Sequence, residues 1–275
     1  MLFSKQKCIH CGEQIDPTNK ICPICGKNVE NSENRTLGNG YTSISPKRQI
    51  GLFCFGTIGL EILSFVALLF LMGFNSPENI RNSFGNFIPY ILLLIILIFL
   101  LVKFQFSFKI TSRKIKNIII GLYMGILLIF GQEVYSLLLM QFGAVVSNNT
   151  NQDVVDSIVK SFPILSIIVL GFIGPICEEI TYRLGLFSFL CRINKKLAYI
   201  VSVLFFAFAH FSIEFIFQGN ITDFVNELLN LPYYIICGAI LTFAYDRYGL
   251  ETSSTAHIVN NIVTIVATLL VVFGI

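Results

Sequence analysis

Charge is scarce in this sequence. Only 13% of its 275 residues are Asp, Glu, Lys or Arg, while 55% are hydrophobic. A soluble domain carries roughly 25% charged residues, so a disordered chain, a collagen-like fibre and a soluble nucleic-acid binder are excluded, and no nucleic acid is expected as a partner. Other features are missing too. There is no internal repeat of fixed period, and the first 46 residues hold no apolar run long enough for a signal-peptide core. The Gly-x-Ser-x-Gly signature of a serine hydrolase is also absent. Histidine is reduced to three residues, so each can be followed individually.

What is present, from Gly51 onward, is a series of long apolar stretches. Crossing ~30 Å of hydrocarbon takes about 20 mostly apolar residues. Seven segments qualify, at about 51–74, 87–106, 117–142, 162–190, 197–217, 229–245 and 252–274. The expected fold is therefore an all-α polytopic membrane protein with about seven transmembrane helices. The fourth stretch contains Gly171, Gly174 and Pro175, which predict a kink or a partly re-entrant path. Lys and Arg set the orientation. The loops after the second, fourth and sixth stretches carry nine of them, from Lys103 to Arg247, and the alternate loops carry only Arg81 and Lys160. The N-terminus is expected in the cytoplasm and the C-terminus outside, with the lipid bilayer as the surrounding medium.

The polar N-terminal segment reads as a separate unit. Cys8-Ile-His-Cys11 and Cys22-Pro-Ile-Cys25 are C-x-x-C knuckles ten residues apart, followed by Gly12 and Gly26. Four thiolates at this spacing suit a structural tetrahedral zinc, which would hold together a module too small for its own core. His10 is the alternative ligand within the first knuckle. Residues 1–30 are expected to form this zinc ribbon, a module of the kind that docks a protein partner. Residues 31–50 are expected to form a flexible linker and 51–275 the membrane domain. Cys54, Cys177, Cys191 and Cys237 are single and apolar in context, and read as small hydrophobes.

The few polar residues inside the stretches carry the chemistry. Glu178, Glu179 and Arg183 share the fourth. Central charges cost about 2.5–3.5 kcal/mol each on the insertion scale, against a return of about 0.3–0.6 per large apolar residue, so they must face protein or water. Glu179 and Arg183 are one turn apart and suit an ion pair. Glu178 points about 100° away and is left for chemistry. His210 lies in the fifth stretch, and His257 and Asn261 lie one turn apart in the seventh. Counted at ~1.5 Å per residue from the cytoplasmic edges, all four can meet in one layer. A lone histidine in a span is usually a helix–helix hydrogen-bonding group, but a carboxylate, two histidines and an amide at matching depths make an active site the better reading. Glu61, Gln132 and Glu133 are candidates to line a cavity or to pair with Arg183, and Glu214, one turn past His210, reads as solvated, with orientation of His210 as the alternative.

Glu178-Glu179-x-x-x-Arg183, Phe206-x-x-x-His210 and His257-x-x-x-Asn261, in this order on successive spans, resemble the CPBP intramembrane proteases. These are the group of the type II CAAX prenyl endopeptidases and bacteriocin-immunity-type membrane proteins. The resemblance covers about 160–265, and the ribbon lies outside it. It implies an endopeptidase of the bacterial plasma membrane acting on a membrane-associated protein or peptide. Glu178 and His210 would activate water, His257 and Asn261 would stabilise the oxyanion, and Glu179 and Arg183 would support the site. It does not require a catalytic metal, although Glu178, His210 and His257 could hold one. The alternative is a non-catalytic scaffold, immunity or transport protein that uses the same cluster for binding.

Overall fold

The computed structural model describes residues 44–106, 112–142, 150–212 and 221–274, with short N-terminal pieces at 6–7, 14–16 and 22–24. In those pieces, β1 (Gln6–Lys7) pairs antiparallel with β2 (Gln14–Ile15), and Cys22 is buried. Cys8, His10, Cys11 and Cys25 lie outside the described residues.

The rest is helical: α1 (Pro46–Gly73), α2 (Glu78–Lys103), α3 (Ser112–Gln141), α4 (Thr150–Ser161), α5 (Pro163–Leu190), α6 (Lys195–Phe208), α7 (Ile221–Tyr248) and α8 (Leu250–Phe273). Local chemistry sets several of these ends. Pro46 and Pro163 open α1 and α5 from positions where no amide hydrogen is needed. Asn194 caps α6, its Oδ1 accepting from the amides of Lys196 and Leu197 at 2.9 and 3.1 Å. The sharp α7–α8 reversal turns on Gly249, at φ 106°, a conformation that disfavours side chains.

Six of the helices, all except α4 and α6, are long and apolar enough to cross a membrane, against the seven expected. The expected span at 197–217 differs because α6 ends at Phe208. Tight bonds from the His210 amide to Ala207 O and from the Phe211 amide to Phe208 O close its last turn. The ring of His210 completes the cap, with Nδ1 2.8 Å from Phe206 O, so one terminal carbonyl finds a side-chain donor instead of a further helical turn. Glu214 lies outside the described residues. The amphipathic α4, in sequence read as loop, presents buried Ile158 and Val159 to the bundle. α1 starts five residues before the expected Gly51. The chain just before it is pinned, because Arg192 donates to Ile44 O and to Gln49 Oε1, each at 2.9 Å.

α5 is the central helix. Half of its apolar window is buried inside the protein, against 17–33% for the other spans. It runs unbroken rather than re-entering. The strain of Gly171, Gly174 and Pro175 is taken up by a π-helical turn at Val169–Ile173, and a second π segment follows at Glu179–Phe187. Such turns absorb an extra residue within a helix and often lie at functional sites. Leu52 of α1, Leu93 and Leu97 of α2, Leu184 and Phe187 of α5 and Tyr245 of α7 form the main core around it. Leu, Ile and Phe on α1, α2 and α3 face outward, as lipid contact requires.

α3 and α8 approach closely along Gly121 and Gly125. A Cβ at Gly125 would stand 2.6 Å from Val259 Cβ and 2.9 Å from Ala256 O, whereas nothing lies within 4 Å of one at Gly131. The seam works as a small-residue interface, where backbone proximity supplies the packing that a membrane cannot supply by hydrophobicity. Gly125→Val is therefore expected to lower the thermal midpoint in detergent, through overpacking worth about 1–3 kcal/mol or more. Gly131→Val, on the same helix, is expected to leave it unchanged. Equal midpoints for the two variants would contradict the seam.

Candidate active site

Three helices deliver the polar cluster to one point. Glu178 and Glu179 sit where the α-helical turn Gly174–Glu178 gives way to the second π segment of α5, His210 just beyond the end of α6, and His257 in the second turn of α8. Glu178 lies 12 residues from Leu190 and 15 from Pro163, about 18 and 23 Å along the axis, so the cluster is near the middle of α5.

The two adjacent carboxylates have different surroundings. Glu179 is fully buried. Its Oε2 is 3.4 Å from Arg183 Nε, and its Oε1 is 3.0 Å from His257 Nδ1. The contact with arginine lacks hydrogen-bond geometry, so charge holds it rather than a directed bond. Arg183 is also fully buried. Its guanidinium lies 4.3 Å over the Phe206 ring and reaches Gly238 O at 3.4 Å. An aromatic face and a carbonyl share the neutralisation of a cation that lipid could not accept.

Glu178 faces the other way. Its Oε1 accepts from Tyr90 Oη at 3.3 Å. Its Oε2 is buried without a hydrogen-bond partner and stands 3.8 Å from both His210 Nε2 and His257 Nε2. The partners of the two rings assign their protons. Phe206 O and the Glu179 carboxylate can only accept, so each imidazole carries hydrogen on Nδ1 and, when neutral, presents a lone pair at Nε2. Three acceptors thus converge with no donor among them. This arrangement calls for a hydrogen donor or a shared proton. A cation would satisfy the same chemistry, but among the described residues no group of three His, Cys, Asp or Glu side chains has the spacing to hold a metal.

Asn261 stands one turn beyond His257. Its Nδ2 donates to Leu170 O, in the first π turn of α5, at 3.1 Å, which leaves the second amide hydrogen for another acceptor. Asn261 and His210 border a cavity of 860 Å3 that also contains Glu178, Tyr90 and Glu61. Glu61 thus lines a cavity, as does Gln132 elsewhere, whereas Glu133 is exposed. Cys177 is buried with its Sγ 3.8 Å from Tyr90 O, an environment for a small hydrophobe.

Two residues of the site were not singled out from sequence. Tyr90 is a hydroxyl in an apolar span, which needs a partner in lipid, and that signal was available. Tyr234 stacks on His210, with centroids 4.6 Å apart and planes inclined at 21°. Only tertiary structure reveals that contact.

The asymmetry of the pair is testable through stability. Glu179→Gln leaves Arg183 buried without its counter-charge and is expected to cost about 3–5 kcal/mol, seen as a large drop in thermal midpoint. Glu178→Gln replaces one of the three acceptors with an amide donor facing the other two, and its midpoint is expected to equal or exceed that of the unmodified protein. A larger loss for Glu178→Gln than for Glu179→Gln would reverse the assignment.

Comparison with known proteins bears on the same stretch of chain. Residues 160–263 match the family model of type II CAAX prenyl endopeptidase Rce1-like proteins. A protein of Mycoplasma capricolum subsp. capricolum, described only as uncharacterized, is 27% identical over 222 residues, covering 74% of this chain and 62% of its own length. The chain thus spans less than two thirds of that relative. No solved structure matches. The similarity to the CAAX protease family is carried by the segment that holds α5 to α8, and Glu178, Glu179, Arg183, His210, His257 and Asn261 all fall within it.

Proposed function

We propose that the protein is an intramembrane endopeptidase that hydrolyses a peptide bond of a membrane-associated protein or peptide, with Glu178 as the general base. The observation that carries this reading is the unpartnered Oε2 of Glu178 facing two imidazole nitrogens at 3.8 Å. A water between them donates to these acceptors and lies beside the base that deprotonates it. Glu178 takes one proton, and the water oxygen forms the new bond to the scissile carbonyl carbon. Negative charge then moves to the carbonyl oxygen. His257 takes up a solvent proton on Nε2 as the substrate binds and releases it with the products; in that imidazolium form it donates to the carbonyl oxygen, its charge offset by Glu179, and the second amide hydrogen of Asn261 adds another donor. One such donor is typically worth about 3 kcal/mol or more. Collapse breaks the carbon–nitrogen bond. The proton held by Glu178, relayed by His210, passes to the leaving nitrogen, giving a carboxylic acid and an amine. Tyr90 positions Glu178 by holding Oε1, so that Oε2 points at the histidines.

The 860 Å3 cavity, which Glu178 lines together with His210 and Asn261, is the place for the substrate. The Lys and Arg distribution supports a cytoplasmic N-terminus in a bacterial plasma membrane. The N-terminal segment is proposed to be a zinc ribbon that engages a protein partner. The spacing of its four cysteines supports this, as does the antiparallel pairing of Gln6–Lys7 with Gln14–Ile15 on either side of the first knuckle.

Two outcomes test the mechanism. In cells that differ only by Glu178→Gln, the protein termini produced by the active enzyme are expected to disappear, and Tyr90→Phe is expected to reduce them about tenfold, the loss of one charged hydrogen bond. Termini unchanged by Glu178→Gln would end the protease reading. In purified protein lacking residues 1–43, where the ribbon's zinc is out of play, activity is expected to persist under strong chelation. Its loss would assign the chemistry to a metal.

A further inference from the structure

The bundle has a second polar passage that the reaction scheme does not use. A cavity of 110 Å3 begins at His210, His257 and Asn261 and runs between α3, α4, α7 and α8. Its far walls, Gln132, Gln152, Tyr233 and Thr264, are also walls of a wider cavity of 360 Å3. That wider cavity reaches Asp156 and Lys160 on α4, the amphipathic helix at one end of the bundle. Polar groups, interspersed with Leu128, Val155 and Ile265, therefore border two adjoining cavities that lead from the histidines to the charged residues of α4.

This way is built from interlocked groups rather than scattered ones. Tyr233 Oη is 3.0 Å from Gln132 Oε1 and 3.4 Å from Asn260 Oδ1, joining α7, α3 and α8. At the wide end, Asp156 Oδ1 accepts from Gln152 Nε2 at 2.8 Å and from Thr268 Oγ1 at 3.2 Å. Amides and hydroxyls at hydrocarbon depth are stable only when they meet protein or water. Here they face an open lumen. Its narrow part suits water and is too small for a polypeptide.

We propose that this passage supplies hydrolytic water to the histidines by a route separate from the substrate cavity. The inference rests on the protease reading. A peptide that fills the 860 Å3 cavity blocks that approach to Glu178, and each turnover consumes one water. The passage adjoins the substrate cavity along Asn151, Val155, Leu170, His210 and Asn261, which line both. Water thus arrives past Gln132, Tyr233 and Thr264, which do not line the substrate cavity. Gln132, Tyr233 and Thr264, at its neck, act as positioning residues.

Thiol accessibility tests this without any substrate. Thr264 and Thr268 line the passage, whereas Val263 and Val266, on the same helix, are exposed on its outer surface and line neither cavity. Single cysteine variants at the four positions, reconstituted in phosphatidylcholine liposomes, are treated with 2-aminoethyl methanethiosulfonate and followed by intact mass against the unmodified protein. Thr264→Cys or Thr268→Cys is expected to react at least about tenfold faster than Val263→Cys and Val266→Cys, because the reagent needs a thiolate in water. Rates for both threonine positions no faster than the valine controls would overturn the conduit, even with product formation intact. In a second arm, Thr264→Leu narrows the neck without contacting Glu178. Its product formation is expected to fall about tenfold at an unchanged thermal midpoint, and undiminished product formation would also overturn the conduit. Because labelling does not depend on turnover, fast labelling together with a silent Glu178→Gln would remove the protease reading while the wet passage stands.

Discussion

The burial of Glu179 is the constraint on which the site depends. A carboxylate with no access to solvent in the middle of α5 is tolerable only beside charge and donors, and Arg183 and the Nδ1–H of His257 supply both. That pairing fixes the proton of His257 on the buried nitrogen and turns the other nitrogen toward Glu178. It also anchors α5 to α8. The cluster therefore combines two functions in adjacent residues, one carboxylate spent on structure and one held open.

The openness of Glu178 has a counterpart in the aromatic surroundings. Phe206 lies under Arg183 and edge-on to His257, with centroids 5.7 Å apart, and Tyr234 covers His210. Each imidazole is held by ring contacts and by one hydrogen bond, that of His210 to Phe206 O and that of His257 to the Glu179 carboxylate. This leaves each ring one committed nitrogen and one available nitrogen, the division of labour that a proton relay needs.

Much of this was legible from residue spacing. The one-turn interval between Glu179 and Arg183, and the 100° offset of Glu178, separated the two carboxylates before any coordinates. Counting residues from the basic loops put Glu178 and His210 at one depth, about 21 Å in, but His257 shallower, at about 9 Å; the structure brings all three together. What spacing could not reveal is set by tertiary contact. α6 was expected to run to residue 217, but the His210 ring caps it at Phe208 through a carbonyl that periodicity cannot see. α4 was invisible because a short polar helix has no hydropathy signal of its own, and its buried face has meaning only against α2, α5 and α8. The π turns of α5 were hinted at by Gly171, Gly174 and Pro175, but the continuity of the helix through them was not.

The order of the helices along the chain has a further consequence. Every group that faces the unpartnered oxygen of Glu178 comes from α5 to α8, a contiguous stretch, while α1, α2, α3 and α4 contribute much of the walls of the surrounding cavities. The polar cluster and much of the cavity wall thus come from successive parts of the polypeptide. Wall residues of the first part, other than Tyr90 and the glycine seam of α3, can vary without touching the hydrogen bonds around Glu178, so the shape of the cavities and the arrangement of the cluster are separately adjustable.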